Sequence, residues 1–149
     1  MGMAINALEA LALDHEKISD LFDRLHEADQ LKEKQDIFEA LREELVNHSH
    51  LEETGFYPIL REDPEFDDMV ATSLADHQRI KDMLTEVDAS DDEVDFDEKL
   101  DELLEWVDQH VDQEENELFP KVRARLPEQK LEEMGRMFAS MRGYAARAA

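Results

Sequence analysis

Apolar residues recur along this chain at alternating spacings of three and four, the pattern of helices that bury one face. The first stripe runs Leu8, Leu11, His15, Ile18, Phe22 and Leu25. A second carries Leu41, Leu45, His48, Glu52, Phe56 and Ile59, and Pro58 is expected to kink or end that helix. Asp63 before Pro64 suits a helix start, because Asp caps free amides and Pro fits the first helical position. The third stripe is Val70, Leu74, His77, Ile80, Leu84 and Val87. After the acidic loop DASDDEVD, the fourth shows Leu100, Leu103, Val107, His110, Glu114 and Leu118. A last amphipathic segment opens at Pro127 and carries Leu131, Met134, Phe138 and Met141. Short connections between long helices imply antiparallel neighbours. The expected fold is therefore all-α, a single domain over residues 1–149. It is an antiparallel up-down-up-down four-helix bundle over about residues 4–124, with an additional C-terminal helix over about 127–147.

The stripes belong to a repeat. Shifted by 62 positions, DHEKISDLF from Asp14 falls on DHQRIKDML from Asp76, and HSHLEETGFYP from His48 falls on HVDQEENELFP from His110. His15 thus pairs with His77, His48 with His110, Glu52 with Glu114, Glu53 with Glu115 and Pro58 with Pro120. One constant offset serves both blocks, so the chain reads as two half-repeats of two helices each. His26 and His50 break the repeat, landing on Asp88 and Asp112.

Composition narrows the class. A length of 149 residues suffices for a real hydrophobic core. Four Gly and four Pro are too few turn formers for an all-β fold. The 40 acidic against 16 basic side chains give a net charge of −24. Such a surface repels phosphate backbones and anionic lipid, so neither nucleic acid nor membrane is an expected partner. The absence of cysteine excludes disulfides, thiol nucleophiles and cysteine-ligated iron–sulfur clusters on this chain. The amino terminus lacks the basic start and apolar stretch of a signal peptide, and no run of 18 apolar residues follows, so the cytoplasm is the expected location.

In each of the four bundle helices a histidine stands on the apolar stripe, where Leu would be ordinary. Two of these helices add a glutamate four residues later, and positions i and i+4 share one face about 6 Å apart. Burying a lone carboxylate costs several kcal/mol, so a buried one is paired, neutralised or bound to metal. No Lys or Arg occupies these stripes, which makes His15, His48, Glu52, His77, His110 and Glu114 candidate metal ligands. One histidine on a stripe is ordinarily a hydrogen-bonded core residue; four in register, two with matched glutamates, reverse that reading. Nitrogen and carboxylate oxygen without thiolate suit iron, manganese or zinc. Six ligands are too many for one zinc and fit two metals, each with two histidines and sharing two bridging carboxylates. Two iron ions are expected, with Mn or Zn as possible substitutes.

Neighbouring residues carry weaker expectations. Asp14 and Asp76 precede candidate ligands and either orient a ring from behind or lie at the surface. Glu53 and Glu115 lie about 100° from the glutamates before them, towards the bundle's edge. Tyr57, which stands where the other half has Phe119, falls about half a turn off the His48 face and is expected to pack. His50 is about 160° from His48 and should be exposed, while His26 shares the His15 face but sits about 16 Å further along. Trp106 is expected at a helix interface.

The motifs DHEKI, HSHLEE…FYP, DHQRI and HVDQEENELFP, in that order, resemble the hemerythrin-like family, the haemerythrin HHE cation-binding domains, over about residues 8–124. The resemblance implies a non-haem di-iron centre with an oxo or hydroxo bridge. Its terminal ligands would be His15, His48, His77 and His110, and its bridges Glu52 and Glu114. Oxygen-carrying hemerythrins of marine worms use a lopsided ligand set that includes an aspartate. Here each half supplies two histidines and one glutamate, which resembles the branch linked to nitric oxide, peroxide and iron–sulfur repair. The implied function is binding of small oxidants (hydrogen peroxide, nitric oxide or O2) and reaction with them under stress, by catalase-like or nitric-oxide-reducing turnover. The alternatives are a reversible O2 or NO carrier or sensor, and an iron-storage or iron-sensing protein. The expected partner is a small diatomic or peroxide ligand, and the expected assembly a monomer or small homo-oligomer.

Overall fold

The computed structural model describes residues 5–148, with side chains described for residues 5–142. Helix α1 (Ala7–Glu27) starts at a reciprocal cap. The Asn6 side chain accepts from the Glu9 amide at 2.9 Å, and Glu9 accepts from the Asn6 amide at 3.4 Å. Helix α2 spans Leu31–Leu51, α3 Asp67–Asp88, α4 Glu93–Gln113 and α5 Glu128–Ala148. Asp92 caps α4 by accepting from the Asp95 amide at 2.8 Å. Asp63 caps a 3₁₀ turn, Pro64–Phe66, that leads into α3. The helix start expected at Pro64 is thus a tighter turn that opens into the α-helix.

Pro58, expected to kink or end the second helix, does something subtler, and so does its repeat mate Pro120. After α2 the chain makes a π-helical turn (Glu52–Phe56) and resumes as a short helix, Tyr57–Leu60. After α4 it makes the matching turn (Glu114–Leu118) and resumes as Phe119–Arg125. Pro58 and Pro120 sit in the first turn of the resumed helices, where a missing N–H is tolerated. A π turn holds one residue more than an α turn, so it rotates everything beyond it by about 100°. Ile59, expected on the buried stripe, is therefore half-buried, while Tyr57 and Leu60 are fully buried.

The four long helices form an antiparallel four-helix bundle in which α1 packs along α2 and α3 along α4. Helix α5 is the additional element and lies along α1 and over the first π turn. Its seat is close-fitting. A Cβ at Gly55 would lie 3.2 Å from both Met141 Sδ and Phe138 Cε1, and one at Gly135 would lie 2.0 Å from the Ile5 carbonyl oxygen.

Two apolar clusters fill the bundle. One holds Ile18, Phe22, Leu41, Leu84, Leu100 and their neighbours. The other holds Leu8, Leu11, Phe56, Tyr57, Phe119 and Phe138, with α5 contributing the last. Between them lies a belt of buried polar side chains, one set from each bundle helix: Asp14, His15, His48, Glu52, His77, His110 and Glu114. Each large apolar side chain buried on either side of the belt contributes about 1.5–3 kcal/mol. Trp106, expected at a helix interface, is instead 37% exposed. Among the described residues no helix is long and apolar enough to cross a membrane.

Candidate metal centre

All six candidate residues meet in that belt, and they meet as two groups. His15 and His48 from the first half gather with Glu114 from the second; His77 and His110 from the second gather with Glu52 from the first. Within each group the potential ligand atoms lie within 4.8 Å of one another. The rings match as well: His15 and His48 stand 4.9 Å apart at 66°, and His77 and His110 stand 4.8 Å apart at 69°.

The glutamates straddle the two groups. Glu52 Oε1 is 3.3 Å from His48 Nε2 and 3.1 Å from His77 Nε2. Glu114 Oε1 is 3.3 Å from His15 Nε2 and 3.6 Å from His110 Nε2. Each carboxylate thus reaches one histidine of each half, an arrangement suited to bridging. Helical geometry accounts for it: Glu52 and Glu114 stand one turn beyond His48 and His110 on the same face.

A carboxylate backs every ring. His48 Nδ1 is 2.8 Å from Asp14 and His110 Nδ1 3.1 Å from Asp76. His77 Nδ1 is 3.1 Å from Glu53 and His15 Nδ1 2.6 Å from Glu115. An ionised carboxylate only accepts, so each Nδ1 carries the proton and donates it. With Nδ1 as the outward donor, each Nε2 points into the belt, the orientation a metal ligand needs, and a metal binding there would displace any proton it carries. His77 Nε2 and His110 Nε2 face each other at 3.2 Å, close enough to share a proton or to converge on one cation.

Asp14 and Asp76, for which surface exposure was an equal expectation, are therefore ring-orienting groups. Glu53 and Glu115 do lie towards the edge, and their carboxylates reach inward to the ring nitrogens. His26 and His50 are exposed and apart from the cluster; His26 lies 3.3 Å from Asp101.

Tyr57 departs from expectation. Its hydroxyl donates to Glu114 Oε2 at 2.7 Å and lies 3.3 Å from His77 Nε2, inside the belt. Straight α-helical geometry puts Tyr57 half a turn away from His48; the extra residue of the π turn brings it round. The symmetry-related Phe119 stacks on His15 with ring centroids 6.0 Å apart, and Tyr57 tilts over His77 at 5.5 Å. One side of the centre therefore has a hydroxyl where the other has only a ring.

As side chains alone, the cluster is electrostatically unsettled. Burial pushes the Glu114 carboxyl up, and the neighbouring Glu52 pushes it further. Burial also acts to raise Glu52, but the adjacent His48 outweighs it and holds that carboxyl well below its usual range. Burial acts to lower His48, yet Glu52 and Asp14 carry it to about 10. Burial and both glutamates push the Tyr57 phenol well above its ordinary value, which keeps it a donor. His15 Nε2, His48 Nε2, both Glu52 oxygens and Glu114 Oε1 are buried without a hydrogen-bond partner among the described residues. One such atom costs about 1–3 kcal/mol, more when charged, so five at one point fit a cluster completed by cations.

Residues 6–122 match the hemerythrin HHE cation-binding domain. A crystal structure of a hemerythrin HHE cation-binding domain-containing protein from Mycobacterium kansasii superposes with a TM-score of 0.85 at 26% identity, covering 97% of this chain and 90% of that one. A Nostoc protein named DNA nickase is 27% identical over 136 residues, or 90% of this chain. The match spans 38% of that relative's length. With the family match reaching across both half-repeats, the chain belongs to the hemerythrin HHE cation-binding domain family.

Proposed function

We propose that this chain is a non-haem di-iron protein that binds small oxidants (hydrogen peroxide, nitric oxide or O2) and reacts with them. His15 and His48 would hold one iron and His77 and His110 the other, with Glu52 and Glu114 shared between them. The observation that carries this reading is the pair of matched His–His–Glu groups, in which five buried ligand atoms have no hydrogen-bond partner among the described residues. The absence of thiolate favours iron or manganese over structural zinc.

When bound, the iron pair supplies adjacent Lewis-acidic, redox-active coordination positions. The rest is done by the chain. Asp14, Asp76, Glu53 and Glu115 hold the four ring protons on the outer nitrogens. Tyr57 fixes Glu114 by donating to it and places a proton beside His77. Phe119 and the apolar clusters exclude bulk water, so only small molecules reach the belt.

The activity named for the Nostoc relative is not carried over, because the match covers a minor share of it and a surface of net charge −24 opposes phosphate contact. The test is peroxide consumption by iron-loaded protein, followed by O2 release. His77→Ala is expected to abolish turnover while helix content by circular dichroism is retained. Undiminished consumption by that variant would remove the centre from the chemistry. A fully reversible spectral change with no consumption would identify a carrier instead.

A further inference from the structure

The internal symmetry of the centre fails at a second place, outside the repeat. Asp14 is 2% exposed, and both of its oxygens are gripped by Arg142 of α5, with Nη1 donating to Oδ1 at 2.7 Å and Nη2 to Oδ2. Asp14 Oδ2 also accepts from His48 Nδ1 at 2.8 Å. Arg142, Asp14 and His48 thus form one chain of charge-assisted hydrogen bonds from α5 to a candidate ligand. Asp76, the symmetry mate of Asp14, has its contact with His110 and no Lys or Arg partner among the described residues. Glu53 has Lys81 at 3.3 Å, but that ammonium is 43% exposed and carries no planar pair of donors, so the contact does not fix the carboxylate's plane.

A planar guanidinium that engages both oxygens of a carboxylate fixes its plane and its rotation, which a single contact does not. Asp14 in turn sets the plane of the His48 ring. Arg142 also forms a wall of a cavity of about 160 Å³ that reaches Asp14 and His48 from solvent. Removing it would loosen the carboxylate and widen that opening together. The seat of α5, set by the close approaches at Gly55 and Gly135, holds Arg142 in place.

We propose that Arg142 is a positioning residue that locks His48 through Asp14, and that it couples the docking of α5 to metal retention in the His15–His48 group. The proposal rests on the two-metal reading above and adds a direction to it: one of the two ions is held by a remote helix and the other is not. By reciprocity, an ion in that group strengthens the seat of α5.

The test uses full-length protein loaded with zinc, which has no redox chemistry, and follows zinc release to a colorimetric chelator. Arg142→Ala is expected to release one of the two ions about tenfold faster and leave the other at the wild-type rate, at the low end of the effect for groups behind a ligand. Arg142→Lys should behave like Arg142→Ala, because a compact ammonium lacks the planar pair of parallel donors that fixes the carboxylate's plane. Asp14→Asn should accelerate the same ion, and the double variant should add little to it, since both act in one chain. Asp76→Asn should accelerate the other ion and add fully to Arg142→Ala. Zinc should slow amide exchange across residues 136–142 in the wild type and not in Arg142→Ala. Wild-type release kinetics in Arg142→Ala, equal acceleration of both ions, or full additivity with Asp14→Asn would each overturn the proposal. Wild-type protein that holds no zinc would instead overturn the two-metal reading on which it stands.

Discussion

Residues 14–60 and 76–122 are one arrangement built twice, and their comparison separates what the centre requires from what it varies. The histidine pairs differ by 0.1 Å in ring separation, 4.9 against 4.8 Å, and each half contributes one straddling glutamate and two ring-backing carboxylates. Those features are dictated by metal-ligand chemistry, which asks the same of both halves. The differences lie one step further out. Tyr57 offers a hydroxyl where Phe119 offers a ring, and Arg142 grips Asp14 where no Lys or Arg among the described residues contacts Asp76. On the two-metal reading, the ligands themselves are symmetric, whereas the groups that support them are not.

The strongest way to break the comparison is to remove a straddling glutamate. Glu52→Ala and Glu114→Ala each take a ligand atom from both groups, so both ions should be weakened, by about 100-fold or more in affinity. His15→Ala touches one group and should weaken a single ion. Calorimetric titration of metal-free protein with zinc distinguishes the two patterns. Equal losses in all three variants would mean that the glutamates do not bridge.

A smaller effect comes from the ring-backing carboxylates. Asp76→Asn, which keeps the shape and removes the charge, should cost about 10–100-fold in affinity for one ion in the same titration.

Gly135→Ala probes the seat of α5, the element outside the repeat that lies along α1 and over the first π turn. Its Cβ would meet backbone at 2.0 Å, so α5 must shift, at about 1–3 kcal/mol by urea unfolding. Unchanged stability would mean that α5 is loosely seated.

The finest probe is the Tyr57–Phe119 difference itself. Tyr57→Phe removes one hydrogen bond and should cost about 1 kcal/mol of stability by the same unfolding assay. Because the phenol sits on one side only, the variant should also make the two ions more alike in their spectra. A spectrum unchanged from wild type would place the hydroxyl outside the centre's influence.

How much of this was legible in the chain follows from which interactions are local. The stripes of three-and-four spacing place the helices, and the constant offset of 62 picks out six side chains that the structure brings to one belt. Tyr57 was not legible, because a π turn is a local change in hydrogen bonding that leaves no mark in hydrophobic spacing until the register beyond it is known. One clue was present. Tyr57 and Phe119 precede equivalent prolines, although only the observed burial of Leu60 in place of Ile59 reveals the shifted register. Arg142 was hidden for another reason: it lies 128 positions from Asp14 and outside the repeat, so no local pattern connects them. The pairing of Glu53 with His77 and of Glu115 with His15 is equally non-local, since each crosses from one half-repeat to the other.

The central claim is that two His–His–Glu groups hold two metal ions, and the metal content of the chain tests it most directly. Protein purified aerobically without a metal-affinity step should carry close to two irons per chain by elemental analysis, falling to about one in His15→Ala. A wild-type chain with no bound metal of any kind would contradict the account.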